Sequence, residues 1–360
     1  MRSAAAVVAD HATVAIPDSN PVRPQPDRRK AEVRRLAVHC AGFRGAVPWK
    51  SWSQLANTGV PFLALAAIML AAAETHYWLT LLLTIPAAGL LVRLFIIQHD
   101  CGHGSFLKSR PANDWLGRVL SVFTITPYDV WRRIHAVHHA TSGNLTKRGF
   151  GDITTLTVDE YRNRSWLQRL LYRIYRNPLF LFGLGAPLFF LVLQRLPFGH
   201  PLEPREIWRS TVILNGAMLV VYGTLVWLVG WWSVLMTAVP IIALASAIGA
   251  WLFFVQHQFE ETHWEHDDTW DFQVAAIHGS SYYELPVLLR WFTGSIGLHH
   301  IHHLNSMIPN YRLQPCLEAC PELAEVNRLT LLESFACVRL ALWDERQRRM
   351  VSFREVTAGA

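Results

Sequence analysis

Eight of the seventeen histidines in this 360-residue chain stand where their spacing lets them act together. They are His99 and His103; His135, His138 and His139; and His299, His302 and His303, with His300 intervening in the last cluster. On a helix, residues three and four apart share a face, so each cluster can aim two or three imidazoles at one point. Neutral imidazole is a good ligand for iron, copper and zinc. Eight exceed what one ion can hold, so two metals follow. Four ligands satisfy zinc, which offers no redox chemistry. Two irons with all-nitrogen ligation and open positions would bind and reduce dioxygen. His257, in Phe254-Val-Gln-His257 at the end of an apolar run, is either a ninth ligand or an interfacial hydrogen-bonder. By proximity in sequence, Asp100, Asp129, Asp152, Glu260 and Glu261 are candidates to fix the imidazoles from outside.

The elements that must position these histidines are apolar and long. The chain is 51% hydrophobic with a mean hydropathy of +0.19. Its apolar residues gather in blocks at about 55–73, 77–98, 212–230 and 231–256. Each is near the roughly 20 residues a helix needs to cross the hydrocarbon core. The blocks form two hairpins with very short turns, and the sequence is expected to fold as an all-α integral membrane protein with a cytosolic helical cap. Two spans between the second and third clusters place all three on one side of the membrane. A fifth block, Leu179 to Leu193, suits an interfacial or re-entrant segment. It follows a stretch in which Trp166, Leu167, Leu170, Leu171 and Ile174 face away from Arg162, Arg169, Arg173 and Arg176, as in a helix lying in the interface.

The basic residues agree with that arrangement. Nine Lys/Arg lie in residues 1–50, fifteen in 105–209 and eight in 290–360, leaving Arg93 inside the second span. Neither hairpin turn carries one. The positive-inside rule then puts both termini and every histidine cluster in the cytoplasm, as for a multi-pass protein of a bacterial inner membrane. The net charge of +6 reads as contact with anionic head groups. Nucleic acid is no partner, because there is no compact basic domain. Residues 1–50, with four prolines between 17 and 26, read as a flexible cytosolic arm, residues 51–325 as the membrane unit, and residues 326–360 as a helical tail. The five cysteines show no disulfide framework; Cys316 and Cys320 read as buried thiols.

His-Asp-Cys-Gly-His-Gly-Ser at 99–105, the stretches 135–161, 254–266 and 279–313, and the order of the three clusters around two spans resemble the membrane fatty acid desaturases. The first cluster is most similar to that of the bacterial Δ12/omega-6 acyl-lipid branch, over residues 50–325. The resemblance implies four spans under a cytosolic cap, a di-iron site with His257 among its ligands, and dioxygen as co-substrate. It implies a kinked tunnel for a membrane-lipid acyl chain, for which Trp251, Tyr282, Tyr283, Trp291 and Phe292 are candidate walls. The expected product is a cis double bond, Δ12/omega-6 on a monounsaturated chain. The sequence has no haem-binding segment, so the two electrons would come from an external donor of ferredoxin type. A related di-iron hydroxylase or ketolase, acting on an alkane, carotenoid or acyl chain, would share these clusters. A haem electron carrier needs histidines deep inside facing spans, and a metal transporter needs ligands near the midplane, where only Arg93 is ionisable.

Overall fold

A computed structural model describes residues 26–149, 151–196 and 202–358. In chain order, α1 (Pro26–Ala41) precedes two long helices, α2 (Pro48–Ala72) and α3 (Tyr77–His103). Then come α4 (Arg110–Thr124), α5 (Tyr128–Thr141), a two-residue strand β1 (Leu156–Thr157), α6 (Val158–Arg162) and α7 (Trp166–Tyr175). A π-helical segment, Leu179–Gly185, runs into α8 (Ala186–Leu191). The second long pair is α9 (Pro204–Val229) and α10 (Trp231–His257). Four short helices, α11 (Phe272–His278), α12 (Val287–Phe292), α13 (His299–Leu304) and α14 (Asn310–Glu318), complete the histidine-bearing part, with β2 (Tyr282–Glu284) among them.

The four long helices have 25 to 27 residues and are apolar enough to cross a membrane. At 1.5 Å per residue each spans roughly 40 Å, more than the hydrocarbon core. They overrun the apolar blocks because the polar ends continue as helix into the histidine-bearing body. Pro48 opens α2, where Ser51 Oγ donates to the Phe106 carbonyl at 2.6 Å. Gly104, at φ +78°, ends α3 one residue after His103. α3 is the central helix, packed against both α2 and α10. Within its apolar window 61% of the residues are buried, against 6% in α9, whose sides are left for lipid. This is a helical membrane protein with four candidate spans in two hairpins.

Two terminal expectations are corrected. From residue 26 the arm is the helix α1, with Val33, Leu36 and Cys40 buried on one face at the i, i+3, i+7 spacing that makes a helical stripe. Cys40 Sγ lies 3.8 Å from Cys316 Sγ in α14. The remainder of the arm, residues 1–25, lies outside the described residues. Residues 326–358 are not mainly helical. They form β3 (Arg328–Thr330), α15 (Leu331–Ser334), a 3-10 turn (Phe335–Arg339), the strands β4 (Leu340–Asp344) and β5 (Arg349–Ser352), and finally α16 (Phe353–Ala358). β3 pairs with β2, and β4 lies between β1 and β5. Residues 345–348 form the hairpin loop, in which Asp344 Oδ1 accepts the N–H groups of Arg346 and Gln347 at 2.9 and 3.0 Å. Trp343 and Met350 pack on Leu145 and Trp264, which joins this hairpin to the loops beside the histidines.

α7 does expose Trp166, Leu167, Leu170, Leu171 and Ile174, and it meets the following segment at a 67° bend. Its opposite face is less open than its composition suggests. Arg176 is buried and donates to Gln258 Oε1 at 2.9 Å and to the Leu340 carbonyl at 2.8 Å. Arg173 donates to the Tyr161 hydroxyl. These two arginines hold the cap together instead of meeting phosphates.

Candidate metal centre

Three short stretches of helix and the end of a fourth bring nine imidazoles together. His99 and His103, one turn apart, point from the end of α3. α5 and α13 supply three each, and His257 is the last residue of α10. They sort into two groups in which the facing ring nitrogens all lie within 4.8 Å of one another: His99, His103, His135, His139 and His302; and His138, His257, His299 and His303. Adjacent residues go to different groups because successive side chains on a helix are about 100° apart. His257 lies in the second group. His300 points away and donates from Nε2 to the Leu323 carbonyl at 2.9 Å.

Hydrogen bonds at the rear of the rings decide which nitrogen faces inward. His257 Nδ1 lies 3.1 Å from the Gly279 carbonyl, which can only accept, so Nδ1 carries the proton. His138 Nδ1 lies 2.5 Å from Asp152 Oδ1, and His99 Nδ1 3.2 Å from Asp100 Oδ1. In each ring the other nitrogen, Nε2, is then a lone pair aimed into its group. The Nε2 atom of His138 is buried with no protein partner. Neighbouring Nε2 atoms stand 3.1 Å apart at His103–His135, His135–His139, His139–His302, His257–His299 and His299–His303.

Converging lone pairs repel unless a cation lies between them. Nitrogens about 2.1 Å from a shared ion and at right angles would stand about 3.0 Å apart. The donor set therefore fits two metal ions of the kind that imidazole binds. Electrostatics favours the neutral, ligating form. Burial, reinforced by the neighbouring rings, holds the imidazoles of His135, His139, His299, His302 and His303 well below their ordinary pKa.

The surrounding carboxylates divide. Asp100 and Asp152 touch imidazoles as described. Asp129 does not: it sits in the first turn of α5 and forms a two-pronged ion pair with Arg118 at 3.0 Å. Glu260 is exposed and paired with Arg349, and Glu261 is exposed. The chain reverses after His257, which turns both away from the rings, so sequence proximity misplaced these three. Contacts the sequence reading passed over include Trp131, one turn before His135 on α5 and stacked on it with centroids 4.7 Å apart. Phe253 packs against both His138 and His257 at 5.1 Å. The i, i+4 spacing on α5 was the available signal for the first of these, and Gly102 makes room for it, since a Cβ there would meet Trp131 at 2.9 Å.

The aromatic residues expected along an acyl path lie on the α3–α10 side. Trp251 Nε1 donates to the Tyr283 hydroxyl at 3.3 Å, and that hydroxyl lies 3.1 Å from Ser334 Oγ. Tyr282 and Tyr283 line a small cavity with Leu298, the residue before the third cluster. The Phe292 ring rests on Gly89, and Trp291 lies under the Arg93 guanidinium at 4.2 Å.

Fold and site together define a helical membrane protein with a two-centre polyhistidine site. The model of the fatty acid desaturase family matches residues 75–333, and the chain belongs to that family. A "Fatty acid desaturase" of Bacillus subtilis is 42% identical over 90% of this chain and 91% of its own length. A Synechocystis "sn-1 acyl-lipid omega-3 desaturase (ferredoxin)" is 31% identical over 65% of this chain and 66% of its own. A Synechocystis "sn-1 oleoyl-lipid 12-desaturase" is 24% identical over 84% of each.

Proposed function

We propose that this chain is a dioxygen-dependent acyl-lipid desaturase that places a cis double bond in a membrane-lipid acyl chain, at Δ12/omega-6 of a monounsaturated substrate. The observation that carries the proposal is the sorting of nine imidazoles into two groups whose lone pairs face inward. His99, His103, His135, His139 and His302 would hold one iron, and His138, His257, His299 and His303 the other. When bound, the irons supply the oxygen-activating redox chemistry that an unactivated carbon chain requires. The protein's residues do the rest. Gly279, Asp152 and Asp100 orient imidazoles, burial keeps them neutral, and Trp131 and Phe253 pack beside them. Trp251, Tyr282, Tyr283, Trp291 and Phe292 would wall the acyl path.

In the balance, one CH2–CH2 unit gives up two hydrogens. Dioxygen, with two electrons and two protons from outside, leaves as two waters. Relatives whose names include ferredoxin support a donor of that type. Such a donor would approach the basic cytosolic face, with α7 lying in the membrane interface and both termini in the cytoplasm of a bacterial cell.

A second reading is favoured by one observation: relatives at 31% and 32% identity are omega-3 desaturases. Expression in one host that accumulates oleate and another that accumulates linoleate separates the two. New linoleate in the first supports Δ12 action, and trienoic product only in the second supports omega-3 action. Hydroxylated product would overturn both.

A further inference from the structure

The first and third histidine clusters are joined through one buried carboxylate whose oxygens have separate duties. Asp100 Oδ1 faces His99 Nδ1. Its Oδ2 accepts two hydrogen bonds from Asn310, from the backbone N–H at 2.7 Å and from Nδ2 at 2.8 Å. Asn310 Oδ1 in turn accepts from Gln54 Nε2 of α2 at 2.8 Å. Asp100 and Asn310 are each 1% exposed. Amides, not a cation, hold this carboxylate among the described residues, so its charge is left to act on the imidazole N–H.

The contact ends a stripe along α3. Gly89 takes the Phe292 ring, Arg93 donates to the Trp291 carbonyl, Ile96 abuts Gly294, and Asp100 takes Asn310. The segment that contains α13 is thus pinned to α3 before and after its histidines.

We propose that Asn310 is a positioning residue for the five-imidazole ion site. It holds Asp100 where Oδ1 accepts the His99 Nδ1 proton, which keeps the His99 Nε2 lone pair directed inward. The proposal rests on the histidine groups being two metal sites. The effect expected is on that site, because Asp100 meets His99 of this group, whereas in the other group His138 and His257 are oriented from behind by Asp152 and Gly279.

The test is a graded chelator competition on purified, iron-loaded wild type, Asn310→Ala and Asp100→Asn, with iron counted by mass spectrometry and the remaining iron characterised by Mössbauer spectroscopy. The wild-type arm, two irons or not, reports on the two-metal reading alone. For Asn310→Ala the expected result is loss of one equivalent at about 10–100-fold weaker competition, the usual scale for removing such a support, while the second equivalent keeps its wild-type spectrum. Asp100→Asn is expected to lose the same equivalent, and it decides the matter if Asn310→Ala does not fold. Joint release of both irons, or retention of both as in wild type, overturns the proposal.

Discussion

His139 and His303 stack with ring centroids 4.1 Å apart and planes 16° apart, yet their nitrogens belong to different groups. The two centres therefore share a wall made of two ligands, one from α5 and one from α13. His139→Ala is expected to weaken iron binding at both centres. His257→Ala, at the far side of the second group, is expected to weaken one. Iron content per chain after gel filtration distinguishes one loss from two, and equal single losses would contradict a shared wall.

The carboxylates give a paired comparison. Asp152→Ala removes the acceptor of the His138 Nδ1 proton and is expected to lower iron affinity and desaturation about 10–100-fold. Asp129→Ala and Glu260→Ala break only partly exposed ion pairs, and are expected to leave turnover within about twofold. Product yield per unit of membrane-inserted protein measures all three.

Acid should destabilise the metal-free protein. Burial depresses the imidazoles of His135, His139, His299, His302 and His303 in the folded state, whereas in the unfolded chain they titrate near about 6.5. As pH falls through that value the unfolded state takes up protons that the folded state refuses, so stability is lost downward in pH. The thermal midpoint of metal-free protein in detergent should be lower at pH 5.5 than at pH 8. A midpoint that is flat or higher in acid would contradict the burial of these rings.

The C-terminal hairpin should be indispensable although it lies beyond the residues matched by the family model. Trp343 is 2% exposed and packs on Trp264 and Leu145. Trp343→Ala is expected to cost about 3–5 kcal/mol, and ending the chain at Arg339 should abolish iron retention. Unfolding of the variant in detergent checks the first, metal analysis the second.

What could be read from the sequence followed from local periodicity. Four apolar blocks of about 20 residues mark helices long enough to span, and i, i+3, i+4 spacing marks histidines that share a face. What escaped depended on contacts between distant residues. β4 pairs with β1, which lies far back in the sequence at Leu156–Thr157, so the run Leu340–Ser352 carried no local signal strong enough to read. Asp100 and Asn310 are 210 residues apart. Asp129 and Glu260 lay near histidines in sequence but on the wrong side of a helix or a chain reversal. His257 came from the family resemblance alone, because a single histidine at a helix end has no spacing to interpret.

The most direct measurement is the fatty-acid profile of a host that makes oleate but no polyunsaturates, with double bonds located by mass spectrometry, expressing the wild type or the His138→Ala/His302→Ala double variant. Linoleate in the wild type and none in the variant is the predicted result, since one substitution falls in each nitrogen group. An unchanged profile from membrane-inserted, iron-containing protein supplied with reduced ferredoxin, or linoleate that persists in the variant, would contradict the account.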